Sequence, residues 1–262
     1  MTTPKDHSHL QTQKPTFKRQ FYETLKFIVQ VGCIVLFIRV LILQPFQIPS
    51  GSMIPNLLIG DYLMVSKFSY GYGKYSFPLG LIDFDGRLLF DSRPNRGDVV
   101  VFRKPSEPDI DYIKRVVGIP GDRIQMFDGH LYVNDHRLKR VQTADFVLEA
   151  ESGTSNRLVL QYEEWFKDHQ KPHRIIEVYG DKGPRDDTRI YHVPDRHYFM
   201  MGDNRDSSLD SRELSEVGFV PEENLIGRAE FLFFSLKPQH KWWKIWELPF
   251  AVRWSRITQM IE

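Results

Sequence analysis

The stretch Arg123-Ile-Gln-Met-Phe-Asp128-Gly129-His-Leu-Tyr-Val-Asn134 indicates how most of this 262-residue chain folds. A short run of residues that favour β-strands stands on each side of Asp128-Gly129. Asp-Gly between two such runs is a strong signal for a two-residue turn, because both residues tolerate positive φ angles. We therefore predict an antiparallel hairpin at residues 123–134.

Runs of the same kind recur on both sides of this hairpin, separated by turns rich in Gly, Pro and Asp. The further predicted strands are residues 61–67, 98–102, 112–117, 157–162, 174–179, 188–192, 197–201 and 227–234. Many short strands joined by such turns are typical of an antiparallel domain. The predicted fold class is therefore mainly β.

An apolar run at residues 27–43 precedes all of these strands. As a helix it would be about 25 Å long, near the lower limit for crossing a bilayer. A buried core helix would show an amphipathic stripe, which this run lacks. A cleaved signal peptide would end in small residues, but Gln44-Pro-Phe-Gln47 follows the run. We therefore predict one N-terminal transmembrane helix that is retained as a signal-anchor.

Basic residues outnumber acidic residues before the apolar run. The basic residues are Lys5, Lys14, Lys18, Arg19 and Lys26, and the acidic ones are Asp6 and Glu23. Flanking segments rich in Lys and Arg stay on the cytoplasmic side of a membrane. We expect a single-pass protein of the plasma (inner) membrane, with its N-terminus in the cytoplasm and its β domain on the outer or periplasmic face.

The composition argues against several classes of partner and cofactor. The formal net charge is +1 and no basic stripe with a reading motif is present, so no nucleic-acid partner is expected. A single cysteine, Cys33, excludes an intrachain disulfide and a multi-cysteine zinc site. We predict no cofactor and no metal. The aromatic content of 13% suits both β-structure and contact with membrane lipid.

The first candidate for chemistry is Ser50-Gly-Ser52, which stands between Pro49 and Pro55 just after the apolar run. Prolines on both sides constrain the backbone and favour exposed hydroxyl groups. A turn with capping serines is the ordinary interpretation of such a motif. Its position beside a membrane favours a nucleophile that acts on a membrane-inserted substrate.

A serine hydroxyl is a weak nucleophile and needs a base. The chain has nine histidines, but none lies in a recognisable triad motif. A lysine can serve instead if burial keeps its amine neutral. Lys114 lies in the apolar run 112–117, where strand alternation places it on one face with Tyr112 and Val116. An exposed lysine on an edge strand is the alternative interpretation.

The third candidate is Met201-Gly-Asp-Asn-Arg-Asp-Ser-Ser208-Leu-Asp210-Ser-Arg212. Its side chains commonly bond to their own backbone, so a structured polar loop is one interpretation. Such a loop could also supply a hydroxyl that orients a lysine and an Asp–Arg pair that braces a site.

In this order and behind an anchor, the three motifs resemble those of type I signal peptidases, the bacterial leader peptidases of the Ser–Lys protease family S26. The resemblance covers about residues 27–236. The roles that it implies are Ser52 as nucleophile, Lys114 as general base, Ser50 with the Ser52 N–H as oxyanion hole, Ser208 as the group that positions the lysine amine, and Asp210 with Arg212 as a supporting salt bridge.

The resemblance also implies an activity and partners. A serine endopeptidase of this family removes N-terminal signal peptides from secretory precursor proteins, after a site with small residues at positions −1 and −3. A dedicated maturation peptidase of a secretion or conjugation system would share the motifs. A membrane-tethered binding module without activity is a further alternative. Self-cleaving repressors use similar chemistry, but the anchor argues against them.

The family's fold, a mainly β protease domain with an inserted second β region, agrees with the strand pattern. Residues 135–190 are more polar than their surroundings, and the candidate motifs lie on both sides of them. The predicted segments are a polar cytoplasmic tail (1–20), the transmembrane signal-anchor (21–46), a catalytic β domain in two parts (47–134 and 191–240), the inserted β region (135–190) and an aromatic C-terminal segment (241–262).

The C-terminal segment carries apolar residues at helical spacing. They are Trp243, Trp246, Phe250, Trp254, Ile257 and Ile261. A helix lying in the membrane interface would show this pattern. A helix packed on the β domain would show it equally, and Pro249 would interrupt either one.

Overall fold

The computed structural model describes residues 17–77, 86–87, 92–149, 155–167, 169–238 and 244–261. The chain forms two compact units, Met1–Ile38 and Arg39–Glu262. Most of the helix α1 (Phe17–Leu41) belongs to the first unit, and all strands belong to the second. The fold is mainly antiparallel β, as predicted.

Within the described residues, α1 is the one helix long and apolar enough to cross a membrane. None of its residues is buried against other parts of the protein, as expected of a helix surrounded by lipid. The ends of the helix do not coincide with those of the predicted signal-anchor, residues 21–46. The helix begins within the predicted polar tail, because the Lys, Arg and Gln of residues 17–20 are good helix formers. It ends at Leu41, since the residue before Pro45 disfavours helical angles. Residues 1–16 lie outside the described part of the chain.

Every predicted strand overlaps an observed one, but five further short strands in the described residues were not predicted. The strands are β1 (Leu43–Gln47), β2 (Asp61–Ser66), β3 (Val99–Lys104), β4 (Glu107–Gly118), β5 (Arg123–Phe127), β6 (His130–Val133), β7 (His136–Arg137), β8 (Lys139–Gln142), β9 (Phe146–Leu148), β10 (Arg157–Trp165), β11 (His173–Glu177), β12 (Tyr191–His192), β13 (His197–Met201), β14 (Val220–Pro221) and β15 (Leu225–Ser235). The 3₁₀ turns are Phe68–Tyr70, Lys74–Ser76, Glu222–Asn224, Ile245–Glu247 and Trp254–Arg256.

A seven-stranded sheet with the order β1-β2-β15-β3-β4-β13-β14 forms the centre of the second unit. Its middle strands carry apolar residues on both faces. One core cluster contains Leu63, Val99 and Leu232, and another contains Phe102 and Tyr198. The sheet therefore holds β4, and with it Lys114, between packed layers.

Two four-stranded sheets complete the unit, one containing β12, β5, β6 and β7 and the other containing β8, β9, β10 and β11. The predicted hairpin is present, with Phe127 opposite His130. Asp128 and Gly129 both have positive φ angles, 47° and 67°, as a tight hairpin turn requires. The sheet that contains β8 to β11 lies wholly within the stretch predicted as an insertion.

Within its described residues, the C-terminal segment forms neither an interfacial helix nor a packed helix that runs through its length. It contains the one-turn helix α2 (Leu248–Ala251) between 3₁₀ turns, and its backbone then pairs with β15 through Phe231 and Met260. Pro249 lies in the first turn of α2, where the missing N–H of proline is tolerated, so it begins a short helix rather than interrupting a long one. The side chains of Trp246, Phe250 and Trp254 are exposed. Trp243 lies outside the described residues.

Candidate active site

Ser52 and Lys114 meet beside strand β4 of the central sheet. The Lys114 Nζ donates a hydrogen bond of 2.7 Å to the Ser52 Oγ and another of 3.0 Å to the Ile113 carbonyl. Ser52 is 8% exposed and Lys114 is 4% exposed. A nucleophile and its base at hydrogen-bond distance are the arrangement that activation of a serine requires.

Burial changes the chemistry of the lysine. Desolvation lowers the pKa of Lys114 from 10.5 to about 8, although the carboxylates of Asp210 and Asp203 oppose this shift. Near pH 8, Lys114 is therefore neutral in a large fraction of the protein molecules, and its amine can accept a proton. The alternative of an exposed edge lysine is wrong for this residue.

The backbone around both residues is fixed by pairing. Lys114 lies opposite Val100 in the β3–β4 register, which holds it in the middle of the sheet. Ser52 lies in the connection between β1 and β2, where the Ile48 N–H donates to the Asp61 carbonyl at 2.8 Å. The hydroxyls of Ser50 and Ser52 are 3.5 Å apart.

Residues 202–204 hold the serine segment from its other side. The Asn204 N–H donates to the Ser52 carbonyl at 3.1 Å, and its side-chain amide donates to the Gly51 carbonyl at 3.2 Å. Gly202 is closely packed as well. A Cβ at this position would lie 2.5 Å from the Ser52 carbonyl oxygen and 2.3 Å from the Ser208 Oγ. Only glycine lets these three segments approach so closely.

Two buried ion pairs brace the loop. Arg212 donates to both carboxylate oxygens of Asp210 at 2.9 Å, and Arg115 donates to Asp203 at 2.7 and 2.8 Å. Burial alone would raise the pKa of each aspartate, but the paired arginine lowers it below its usual value. Both loop carboxylates are therefore charged and hold the backbone on either side of Ser208.

A profile of the family described as signal peptidase, peptidase S26, matches residues 21–234. The chain belongs to this family. The resemblance drawn from the three motifs is thereby confirmed, and membership makes the chain a protease. Together with α1, it indicates a membrane-anchored enzyme.

Curated relatives agree with this membership. The signal peptidase I of Rickettsia typhi is 38% identical over 233 residues, which cover 86% of this chain and 83% of the relative. That of Rickettsia massiliae is 40% identical over 223 residues, covering 82% and 79%. A crystal structure of a signal peptidase I from Enterococcus faecalis is 25% identical, covers 52% of this chain and 97% of its own, and has a TM-score of 0.30.

All six site residues predicted from the motifs of this signal peptidase family lie in the described part of the chain. Ser50, Ser52 and Lys114 lie close together, and Asp210 pairs with Arg212. Ser208 is buried beside Gly202, but in the described residues Lys114 Nζ donates to Ser52 and to the Ile113 carbonyl rather than to the Ser208 hydroxyl.

Sequence reasoning did not assign a role to Arg115, Asp203 or Asn204, all of which support the site. Asp203 and Asn204 belong to the motif in residues 201–212, so the sequence did place them near the predicted site. Arg115 could not be paired with Asp203 from the sequence, because 88 residues separate them in the chain.

A third buried ion pair joins the loop to strand β10. Arg205 donates both terminal nitrogens to the carboxylate of Glu164, and His173 Nε2 lies 3.1 Å from the same carboxylate. Burial opposes the charge of Glu164, but Arg205 and His173 hold its pKa well below the usual value. Burial and the nearby Arg115 lower the pKa of His173, which favours a neutral imidazole.

Replacing Glu164 by glutamine should leave Arg205 buried without a charged partner. Breaking a buried ion pair on one side costs about 3 kcal/mol or more. We expect Glu164→Gln to lower the free energy of unfolding by roughly that amount, measured by urea unfolding in detergent. Glu163→Gln, on the same strand, is the matched control. Equal stability of the two variants would contradict a structural role for the pair.

Proposed function

We propose that the chain is a signal peptidase I in which Ser52 is the nucleophile and Lys114 the general base. The observation that carries this proposal is the 2.7 Å hydrogen bond between the Lys114 amine and the Ser52 hydroxyl, both of them buried. Membership of the signal peptidase family and the names of the curated relatives support it. An inactive binding module would have no need to keep a lysine in an apolar site.

Acylation begins when the neutral Lys114 amine takes the proton of the Ser52 hydroxyl. The Ser52 Oγ then attacks the carbonyl carbon of the scissile peptide bond, and the proton passes to the leaving amine. Water, activated by the same lysine, hydrolyses the acyl-enzyme and restores the free hydroxyl. Lys114 then returns the proton to the departing Ser52 oxygen, so that it serves as base and acid in each of the two half-reactions and ends the cycle neutral.

The tetrahedral intermediate needs donors for its negative oxygen. We assign this role to the Ser50 hydroxyl and the Ser52 backbone N–H, which the distance of 3.5 Å between the two hydroxyls supports. One such donor contributes about 3 kcal/mol to transition-state stabilisation. Ser208, packed between Gly202 and the site, would limit the positions of the lysine amine.

The substrates that we propose are secretory precursors with signal peptides. Shallow pockets for positions −1 and −3 would exclude large side chains and so select small residues before the cleaved bond. The nucleophile follows the membrane-spanning helix closely in the sequence. An enzyme anchored in this way would meet signal peptides where they leave the bilayer. The proposal includes no nucleic-acid partner. Membrane lipid is the proposed partner of the anchor helix.

A cleavage assay with a purified precursor tests this function. We expect the detergent-solubilised protein to release a mature chain whose new N-terminus follows a small-x-small sequence. The control is the same precursor with a bulky residue at position −1, which should remain uncleaved. Several unrelated precursors should be cleaved. Cleavage of only one of them would favour a dedicated maturation peptidase.

The proposed topology gives a prediction for intact cells. Lys18 and Arg19 at the start of α1 should remain in the cytoplasm, with the β domain on the outer or periplasmic face of the plasma membrane. Protease added to spheroplasts should therefore digest the β domain and leave an N-terminal tag protected. Protection of the β domain together with digestion of the tag would contradict this orientation and the link to exported substrates.

A further inference from the structure

Three carboxylates lie together beside the catalytic loop, away from Ser52 and Lys114. They belong to Glu177 at the end of β11, Asp186, and Asp206 in the loop that carries Ser208. One oxygen of each lies within 4.8 Å of the others. All three residues are buried, with exposed fractions of 0%, 1% and 5%.

The two aspartates are held in place by the backbone. Asp206 Oδ2 accepts hydrogen bonds from the N–H groups of Val178 and Tyr179 at 2.6 and 2.7 Å, and Asp186 Oδ2 accepts one from Gly183. In each case the other oxygen, Oδ1, is buried and has no hydrogen-bond partner in the described residues. Each aspartate thus uses one oxygen for structure and leaves the second unused.

Glu177 provides an independent observation. It is fully buried, and neither of its carboxylate oxygens has a hydrogen-bond partner in the described residues. Arg140 Nη1 lies 3.5 Å from Oε1, but this guanidinium donates its hydrogen bonds to the Gly129 carbonyl and to Asp181. A buried carboxylate that accepts no hydrogen bond is costly unless something else compensates its charge.

Gly183 lets the carboxylate of Asp206 pack closely against the backbone. A Cβ on Gly183 would lie 2.0 Å from Asp206 Oδ1 and 3.1 Å from Asp186 Oδ2. The unused oxygen of Asp206 therefore occupies the place that a side chain at position 183 would take, and only glycine is compatible with this position of Asp206.

Burial and mutual repulsion disfavour three charged carboxylates in one cluster, although the nearby guanidinium groups of Arg205 and Arg140 oppose this effect at Glu177. Burial raises the pKa of Glu177 well above its usual value, and also that of Asp186, with Asp206 adding to both shifts. Either a proton or a cation would relieve this repulsion. A cation would in addition be bound by one oxygen of each of the three residues at once.

We propose that Glu177, Asp186 and Asp206 bind one hard divalent cation, with Ca²⁺ preferred. Carboxylate oxygens are the ligands that Ca²⁺ and Mg²⁺ select, whereas the absence of nitrogen and sulfur from this donor set disfavours zinc and copper. Mg²⁺ keeps several of its waters and demands octahedral geometry, which suits a tight buried site poorly. This site departs from the expectation of no metal.

The cation would join the catalytic loop to the neighbouring sheet. Asp206 follows Arg205 in the loop, and the Arg205 N–H donates to the Ile176 carbonyl of β11 at 3.1 Å. Glu177 is the next residue of that strand. A cation between Asp206 and Glu177 would therefore stabilise this junction. This structural role does not depend on the roles assigned to Ser52 and Lys114.

The test is calcium binding by the full-length protein in detergent, after treatment with a chelator. Equilibrium dialysis should find one Ca²⁺ per chain. The unfolding temperature should rise with free Ca²⁺, because a ligand that binds only the folded state adds stability with the logarithm of its concentration. Mg²⁺ should give a smaller rise at the same concentration. Glu177→Gln should lower the affinity for Ca²⁺ tenfold or more.

Asp181→Asn is the matched control, since Asp181 is a partly exposed partner of Arg140 outside the cluster. It should bind Ca²⁺ like the unmodified protein. No bound calcium and no effect of Ca²⁺ on unfolding of the unmodified protein would overturn the proposal and favour a shared proton. The proposal would also be overturned if Glu177→Gln bound Ca²⁺ as tightly as the unmodified protein. If Glu177→Gln fails to fold, dialysis of the unmodified protein still decides.

Discussion

Replacement of Lys114 by alanine should reduce precursor cleavage by about 10⁵- to 10⁶-fold, the order of loss seen when a serine protease loses its nucleophile or base. The reason is that the Ser52 hydroxyl then has no partner to accept its proton. Ser52→Ala should cause a loss of the same order. The double variant should be no worse than either single one, because the two groups act as a unit.

The arginine variant and the pH profile separate a base from a structural cation. Lys114→Arg should be as inactive as Lys114→Ala, since arginine stays protonated at any usable pH. Burial lowers the pKa of Lys114 to about 8, and only the neutral amine can act. The rate should therefore rise about tenfold per pH unit below that value and level off above it.

Lys67 offers a matched control for these measurements. It is 3% exposed, and burial lowers its pKa to about 8 as well, but its amine donates to the Ser76 carbonyl rather than to a serine hydroxyl. Lys67→Met should keep the pH profile of the unmodified enzyme. Circular dichroism of every variant should show the same β content. Normal cleavage by Lys114→Ala would overturn the assignment of the base.

The strand pattern was predictable because it depends on local signals. The hairpin at 123–134 combines strand-forming residues with Asp128-Gly129, which determines its turn and register. β1 was missed because it lies at the end of the apolar run, where membrane helix and strand compete for the same residues. Its pairing with β2, which includes Leu43 opposite Ser66, is a tertiary contact that no local pattern contains.

The candidate site was predictable as a set of motifs, but its physical causes were not. Burial of Lys114 follows from layers on both faces of the central sheet, and a single strand shows only its alternation. The carboxylate cluster was not foreseen, because Glu177, Asp186 and Asp206 come from three segments that show no ligand spacing. The role of Gly202 was hidden too, since a glycine in a polar loop usually marks a turn.

Gly202→Ala should reduce turnover by roughly 10²-fold, although no functional group is removed. An alanine Cβ would lie 2.5 Å from the Ser52 carbonyl oxygen, 2.5 Å from the Ser208 Cβ and 2.3 Å from its Oγ. Real Cβ contacts are never this short, so the serine segment or the Ser208 segment must move by about 1 Å. A shift of that size in a reacting group costs about 100-fold.

Stopped assays with one synthetic precursor, read as separate kcat and KM values, measure this effect. The loss should lie in kcat, because the displaced atoms are those that react rather than those that recognise the signal peptide. Gly32→Ala is the control, since a Cβ at Gly32 meets nothing within 4 Å, and it should keep full activity. Overpacking also costs about 1–3 kcal/mol of stability, so turnover is compared at a temperature where both variants are folded. If Gly202→Ala then cleaves at the normal rate, the close approach of residue 202 to Ser52 does not position the nucleophile.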